Sequence, residues 1–371
     1  MGSFALYYSK NADGENNGDK QEKIKLSADI HFNLWNISHD DQQFLDIGIM
    51  LHHLSKNQSV FLYIPFSVDQ SEISDLGSLL STDKRLLAAV FNENYSLLQS
   101  SKPKWADVLK TDTSNSSNSS DSSKVETVFS IFTLDIGSNL VAEPLNEDGT
   151  KIKIMIPVAS SGEPYPNENI YIRFRVKTSK IQENLIRSYK NAISLLTGLV
   201  KERYVVDFRY NDTRSFNDKE LEEFTTEGKN FVATKKLHFL LLCKAYVDVE
   251  CSSDVKKREI EKGVWQGYVK TGGVTDTDDI IAYHASKKIA QKDEVKEEGK
   301  TKEGDKEDKD IGSWEFFAKQ SIDFINKKRA FKLFILMIIV GALINGIYDI
   351  VKPCFLWAFN LILSIIQCLG I

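Results

Sequence analysis

The segment 171–177, YIRFRVK, carries the side chains best suited to hold a ligand. Alternate residues of a strand lie on one face, and a strand here aligns Tyr171, Arg173, Arg175 and Lys177. Two arginines on one face of a sheet can each grip a phosphate or carboxylate with paired hydrogen bonds. The alternative is cross-strand pairing with Asp or Glu on a solvent-exposed sheet face. We predict a ligand- or partner-binding face at these four residues and leave the alternative open.

Histidines and acids elsewhere predict no catalytic or metal centre. His52 and His53 are neighbours in a strand pattern, so their side chains point to opposite faces and cannot share a metal ion. Asp29, His31 and Asn33 share a face, which an ordinary solvent-facing strand explains. No GxSxG, HExxH or CxxC motif occurs in the sequence. We expect no catalytic residue, no metal and no cofactor, and therefore a protein that is not an enzyme.

The segment 331–371 consists of two apolar runs around one polar break. The runs cover 333–347 and 354–371, and each is close to the length of about 20 residues that spans a bilayer as a helix. The break at 349–353 contains Asp349, Lys352 and Pro353, which is typical of a turn. We therefore predict a two-helix transmembrane hairpin at 331–371.

Polar residues follow one face of each predicted helix. The first helix carries Gly341, Asn345 and Asp349, and the second carries Asn360, Ser364 and Gln367. Polar side chains in hydrocarbon usually face a bundle interior or water. This polar stripe predicts a homo-oligomer in the membrane, with or without a pore. The alternative is that Asn345 and Asn360 bond each other within one hairpin.

Basic residues set the expected orientation. Lys327, Lys328, Arg329 and Lys332 precede the first apolar run, whereas the turn holds only Lys352. By the positive-inside rule, the N-terminal domain and the C-terminus are cytoplasmic, and the protein crosses the inner (plasma) membrane twice. Residues 1–20 lack the basic and apolar regions of a signal peptide, and we predict them to be disordered.

The remaining sequence predicts a mostly β soluble region, sandwich-like or α+β, before the membrane segment. Apolar and polar residues alternate at 24–34, 45–51 and 170–176, which is a strand pattern. We predict β-rich regions at 21–110 and at 125–286, the second with one or two helices. A Ser/Asn-rich linker or loop at 111–124 separates them, and one soluble domain or two remain possible.

Individual elements are also predicted from these patterns. Further strands are expected at 85–91, 204–210 and 263–269. Helices are expected at 71–80, 180–200 and 217–226.

Two segments connect the soluble region to the membrane. Residues 287–310 alternate Lys with Glu and Asp and are predicted to be a charged tether. Residues 311–330 are predicted to form an amphipathic juxtamembrane helix with Trp314 and Phe317 on its apolar face.

Composition limits the function further. The formal net charge is −5, so we expect no direct binding of nucleic acid. Four cysteines without metal-ligand spacing indicate neither a disulfide framework nor a zinc site.

In architecture, a cytoplasmic domain followed by a terminal two-helix membrane segment resembles bacterial antiphage membrane effectors. Retron-associated and cyclic-nucleotide-activated transmembrane effectors have this arrangement. The resemblance implies a β-rich sensor that binds a ligand or regulator, and membrane permeabilisation in abortive infection. The alternative function is a constitutive membrane-tethered scaffold or adaptor that binds a cytoplasmic protein partner.

Overall fold

The structure, a computed structural model, describes most of the 371 residues. The described ranges are 2–9, 26–37, 43–54, 58–100, 102–111, 125–145, 148–157, 169–188, 201–226, 228–252, 254–274, 276–289, 310–323 and 327–368. The charged segment from 290 to 309, most of the Ser/Asn-rich stretch and the predicted helix beyond residue 188 lie outside them.

Strands make up most of the described chain. The first ten are β1 (Ala5–Ser9), β2 (Ser27–Asn36), β3 (Phe44–His52), β4 (Val60–Ile64), β5 (Ile73–Asp75), β6 (Ser96–Gln99), β7 (Trp105–Thr111), β8 (Val125–Phe132), β9 (Leu140–Pro144) and β10 (Thr150–Ile154). The others are β11 (Asn169–Val176), β12 (Ile186–Ser188), β13 (Lys201–Tyr210), β14 (Lys229–Phe231), β15 (Ala233–Lys244), β16 (Asp248–Cys251), β17 (Lys256–Glu259), β18 (Ile280–Lys288) and β19 (Trp314–Asp323).

The helices are short except for the last. They are α1 (Gly77–Leu80), α2 (Lys84–Phe91), α3 (Lys180–Asn184), α4 (Asp218–Thr225), α5 (Lys262–Lys270) and α6 (Lys327–Cys368), with short 3-10 turns at Gln70–Glu72 and Thr213–Ser215. A β-rich region followed by a C-terminal apolar helix confirms the predicted fold class at that level.

The strands form three sheets. The largest runs β17-β18-β15-β2-β3-β11-β8-β7-β6, with β5 added beside β11. A second runs β14-β1-β4-β10-β9, and a third runs β12-β13-β19-β16. Strands β2 and β3 come from before the Ser/Asn-rich stretch, and their neighbours β15 and β11 come from after it. The two predicted β-rich regions therefore belong to one compact unit, which covers Met1–Arg187 and Tyr204–Gln320.

Aromatic side chains form the core of this unit where strands of the different sheets meet. Phe208 of β13 lies 4.8 Å from Phe32 of β2 and 4.5 Å from Phe239 of β15, measured between ring centroids. Phe4 stacks on Phe208 at 5.2 Å, and Phe316 of β19 lies 4.7 Å from Phe239. All five rings are essentially buried, so they hold the sheets together by burial of large apolar surface.

Both ends of the β-rich region differ from prediction. Residues 5–9 are not disordered, because β1 is buried and pairs with β4 and β14. Residues 314–323 are not an amphipathic helix, because Phe316, Ala318, Gln320 and Ile322 alternate inward along strand β19. The chain thus returns to the sheets after the charged segment. Strand β19 therefore lies between that segment and α6 in the sequence.

Two predicted strands are helices. In α2, the Asp83 carboxylate accepts hydrogen bonds from the N–H groups of Arg85 and Leu86, which is an N-cap that starts a helix. In α5, Trp265, Tyr268 and Val269 are buried at helical spacing. Of the predicted helices, α4 is confirmed, and Asn217 and Glu220 cap it reciprocally.

The segments 71–80 and 180–188 contain less helix than predicted. The first is a 3-10 turn, strand β5 and the single turn α1. The second is α3 followed by strand β12.

The second compact unit covers Ser188–Arg203 and Ser321–Ile371 and is dominated by α6. This helix is continuous over 42 residues, with Pro353 inside it. One continuous helix therefore replaces the predicted two-helix hairpin, and a two-pass topology has no support among the described residues. A reversal at this point favours a residue that adopts a positive φ, but the segment 347–353 contains no glycine or asparagine. Between Phe334 and Leu361 the helix is long and apolar enough to cross a membrane.

Candidate functional site

The predicted binding face on β11 is turned into the protein. Tyr171 and Arg173 have no exposed surface and Arg175 is 1% exposed, whereas Lys177 beyond the strand is exposed. The first three residues therefore do not lie on the solvent-exposed sheet face that the alternative of cross-strand pairing assumed. Helices α2 and α5 cover this part of the sheet, as shown by Phe91 against Tyr171 at 4.8 Å between ring centroids.

Arg175 pairs with one carboxylate through two hydrogen bonds. It lies directly opposite Asp46 on the antiparallel strand β3. Its Nε donates to Asp46 Oδ1 at 2.6 Å and its Nη2 donates to Oδ2 at 3.0 Å. Trp35 Nε1 and Tyr268 Oη also donate to Oδ2, at 2.8 Å and 2.7 Å. The alternative of cross-strand pairing is thus confirmed for Arg175, but in the interior, where each hydrogen bond to a charge is stronger than in water.

Arg173 is held by neutral groups. Its Nε donates to Tyr268 Oη at 2.8 Å and its Nη1 donates to Tyr171 Oη at 3.0 Å. With the Asn33 amide turned so that its oxygen faces the guanidinium, that oxygen accepts from Nη2 at 2.7 Å. Among the described residues, Asp46 is therefore the one acid that bonds to this network, which contains two arginines. The network carries a net charge of +1 below the surface.

Burial and mutual contact fix the protonation states in this network. Burial raises the pKa of the Tyr171 and Tyr268 hydroxyls, which keeps both phenols neutral. Burial acts to lower the pKa of Arg175, but the Asp46 carboxylate outweighs it and raises that pKa. The guanidinium groups remain charged, and the Tyr268 hydroxyl links Arg173 to Asp46, because it accepts from Arg173 and donates to Asp46.

The Asp46–Arg173–Arg175 network leaves no room at Gly48. A Cβ placed on Gly48 would overlap the Tyr171 hydroxyl and would lie 3.0 Å from Arg173 Nη1. Gly48 stands directly between Arg173 and His31 in the sheet, as the register of β11, β3 and β2 shows. Because Gly48 has no side chain, the Tyr171 hydroxyl and the Arg173 guanidinium can extend over β3 toward His31 on β2.

A row of histidines continues this sheet face, and it begins at His31, whose ring centroid lies 6.0 Å from that of Phe91 in α2. His31 on β2 lies directly beside His238 on β15, and their ring centroids are 4.8 Å apart. His238 Nδ1 and His284 Nε2 are 2.9 Å apart, within hydrogen-bonding distance, and their rings stack. All three side chains are half-buried. The shared face of Asp29, His31 and Asn33 is therefore confirmed, but it is not an ordinary solvent face, since Asn33 is buried.

The imidazoles of this row are held neutral. Burial, followed by the charges of His284 and Lys288, lowers the pKa of His238 to about 4. Burial, followed by His238 and Arg173, lowers the pKa of His31 well below its ordinary value. Burial and nearby cations also lower the pKa of His284.

Asp29 and His52 close one end of the row. His52 Nε2 lies 3.6 Å from Asp29 Oδ2, and Lys236 Nζ lies 3.0 Å from the same oxygen. Burial acts to lower the pKa of His52, but the hydrogen bonds to Asp29 and Asn169 raise it overall. Asp29 Oδ1 is buried without a hydrogen-bond partner among the described residues.

Metal binding has no support among the described residues. No group of three or more His, Cys, Asp or Glu side chains there is arranged to hold a metal ion. Burial raises the pKa of the Cys243 thiol to about 12, so this thiol stays protonated.

The predicted polar stripe lies on one continuous helix, α6. At about 100° per residue, every Asn, Asp, Lys, Ser and Gln between Phe334 and Cys368 falls within an arc of about 120°. These residues are Asn345, Asp349, Lys352, Asn360, Ser364 and Gln367. Gly341 lies at the edge of the same arc, with nothing within 4 Å of the position of a Cβ. The two stripes predicted for separate helices are thus joined into one.

Pro353 adds a polar backbone group to this face. A proline has no N–H, so in a regular α-helix the carbonyl four residues earlier, that of Asp349, loses its partner. Lys352 extends along the helix, with its Nζ 5.7 Å from the centre of the Tyr348 ring. Asp349, Lys352 and a carbonyl without its helical partner therefore lie within one helical turn near the middle of the apolar stretch.

Comparison with known protein families and with the curated proteins finds no match to this chain. The candidate sites consequently rest on their own geometry.

The sequence analysis identified the residues of the β11 face but not the residues that bond to them. Asp46 and Tyr268 were not singled out, and they lie 129 and 222 positions from the groups they bond. His238 and His284 were also missed, because they lie 46 positions apart and only the pairing of β15 with β18 brings them together.

Proposed function

We propose that this protein is a membrane-anchored effector whose cytoplasmic β-rich domain senses a ligand or partner and whose C-terminal helix acts in the inner membrane. The observation that carries the proposal is the single polar face of α6. The bacterial antiviral setting rests only on the resemblance in architecture described above. No catalytic step is assigned to the protein.

A passive anchor gains nothing from the polar face of α6. The apolar stretch Phe334–Leu361 is about 42 Å long as a helix, against a hydrocarbon thickness of about 30 Å. Asp349 and Lys352 then lie at membrane depth, where each charged residue costs about 2.5–3.5 kcal/mol on insertion scales. Contact with the same face of other copies, or with water between them, offsets this cost. The proposed active form is a homo-oligomer in which these faces meet.

A single span changes the proposed topology. The basic residues before the span, such as Lys328 and Arg329, still favour a cytoplasmic N-terminal domain. The C-terminus then lies on the opposite side of the membrane, not in the cytoplasm. A reporter fused to Ile371 distinguishes the two arrangements, and a cytoplasmic reporter would contradict the single span.

The experiment that tests the function replaces part of the polar face. Asn345→Leu with Asn360→Leu keeps α6 in lipid but removes hydrogen-bonding groups that can contact other copies or water. We expect the double variant to lose the membrane depolarisation and growth arrest that overexpression of the wild type causes. A voltage-sensitive dye reports the first effect, with the amount of protein in the membrane fraction measured in parallel.

The matched control lies on the opposite face of the helix. Ile347→Leu with Leu361→Ile changes the shape of two side chains but no polar group, so depolarisation should persist. Equal depolarisation by the polar-face variant and the wild type would contradict the effector. Absence of depolarisation in the wild type, at normal insertion, would favour the alternative, a constitutive tethered scaffold or adaptor.

A further inference from the structure

The part of this sheet face that begins at His31, beside Phe91 of α2, carries an unbalanced set of positive charges. We call this surface the histidine–lysine patch. It consists of His31, His238, His284, Lys236, Lys256 and Lys288. Neither the polar face of α6 nor the buried arginine network uses these residues.

The register of four strands places the six side chains on one face. His31 is opposite His238, and Lys236 is opposite Lys288. Lys256 on the edge strand β17 is opposite His284. Since directly paired residues of neighbouring strands share a face, the three lysines surround the two histidines of β15 and β18.

The charges of the patch are poorly compensated. Asp29 pairs with Lys236 and contacts His52. Lys256 and Lys288 have no acidic partner among the described residues, and both are exposed. Arg173, with its uncompensated charge, lies beneath His31 and adds to the field there.

The same cations act on the histidines of the patch. The cations Arg258, Lys256 and Lys288 all lower the pKa of His284, after burial itself. Arg258 is also 4.0 Å from the Glu261 carboxylate, whereas Lys256 and Lys288 have no acidic partner among the described residues. The contribution of these cations, unlike that of burial, also favours an anion at this position.

We infer that the histidine–lysine patch binds a phosphate-bearing ligand with at least two negative charges. Lys256 and Lys288 supply the charge, and the half-buried imidazoles supply directional N–H donors while remaining neutral. The inference rests on the proposed function only in that it makes this ligand the signal sensed by the β-rich domain. The phosphate can belong to a small soluble molecule or to a lipid headgroup.

Direct binding to the full-length protein tests the inference. The protein is held in dodecyl maltoside, a detergent without phosphate, and titrated in a calorimeter with inorganic pyrophosphate. A second titration uses dihexanoyl-phosphatidic acid below its micelle concentration, because its phosphomonoester headgroup can carry two negative charges. Binding of pyrophosphate alone identifies a soluble ligand, binding of the lipid alone identifies a headgroup, and binding of both supports the shared phosphate chemistry. Absence of both overturns the inference.

Charge reversal locates the binding. Lys256→Glu with Lys288→Glu should weaken binding by at least about tenfold, since two attractive charges become repulsive close to the ligand. The matched control, Lys219→Glu with Lys319→Glu, makes the same change in net charge at exposed positions on α4 and β19. Equal weakening by both pairs would show a general charge effect and overturn the patch as the site.

The two proposals fail separately. Pyrophosphate binding that depends on Lys256 and Lys288, in a protein that never depolarises membranes, would overturn the effector and leave the patch intact. Depolarisation by the wild type without phosphate binding would overturn the patch and leave the effector.

Discussion

The covered and uncovered parts of one sheet face use similar polar residues in different ways. Under α2 and α5, Arg173 and Arg175 are locked by Asp46 and two phenols, without contact with water. Beyond the helices, His238 and Lys288 lie on the same face but remain within reach of solvent. A buried ion pair gives geometric definition, whereas an uncovered group keeps its capacity to bind. Accessibility, more than residue type, therefore separates the structural part of this face from its candidate binding part.

The largest effect is expected from removing the acid of the covered part. Asp46→Asn leaves Arg175 and Arg173 without a counter-charge in the interior, which should lower the free energy of unfolding by about 3–5 kcal/mol. Urea unfolding of the detergent-solubilised chain, followed by tryptophan fluorescence, measures this. Asp135→Asn removes the exposed partner of Lys104 and should change stability by no more than about 1 kcal/mol. Equal losses for the two variants would remove the distinction between the buried pair and a surface pair.

A smaller loss is expected where the network crosses the sheet. Gly48→Ala places a methyl group against the Tyr171 hydroxyl, so the free energy of unfolding should fall by about 1–3 kcal/mol. Gly267→Ala is the control, because nothing lies within 4 Å of its Cβ position in α5. It should raise stability by about 0.5–1 kcal/mol, since alanine favours a helix interior. The same unfolding assay measures both variants. A Gly48→Ala variant as stable as the wild type would show that the side chains around Gly48 can rearrange.

In the uncovered part, His238 should make the free energy of unfolding depend on pH. The folded pKa of His238 is about 4, below the ordinary value of 6.5, so between these values the unfolded chain binds the proton and the folded chain does not. Stability therefore falls as the pH decreases through this window. The groups that act on His238 are His284, Lys288, Asp29, Lys236 and the adjacent His31.

His238→Gln removes this contribution. The variant should lose about 1–2 kcal/mol less stability than the wild type when the pH falls from about 7 to about 4.5, after allowance for partial exposure. Ser286→Ala, at an exposed position directly opposite His238, should keep the wild-type dependence. Parallel stability curves for His238→Gln and the wild type would contradict a buried neutral imidazole.

Periodicity predicted the strands whose sequence alternates. Strands β2, β3 and β11 form as expected from that alternation, although both of their faces are largely buried. Short apolar runs are ambiguous: RLLAAVF and GVWQGYV fit the strand pattern but form α2 and α5. For α2 the decisive signal was Asp83, a helix cap that precedes the run.

The candidate site was predictable only in part. Tyr171, Arg173 and Arg175 share one face of β11, as the alternation indicates, but their burial depends on helices from distant segments, and Lys177 lies beyond the strand. The pairing of Arg175 with Asp46 is set by sheet register over 129 positions, which no local pattern records. The polar face of α6 was predicted as two stripes, and the continuous helix joins them because Pro353 is tolerated inside it.

The position of β19 leaves only a short connection to α6. Strand β19 ends at Asp323 and α6 begins at Lys327, so three residues, with a reach of about 11 Å, connect a paired strand to the helix. The long charged segment precedes β19 in the sequence, so its length adds nothing to this connection. A displacement of Asp323 that exceeds this reach therefore has to move Lys327 with it.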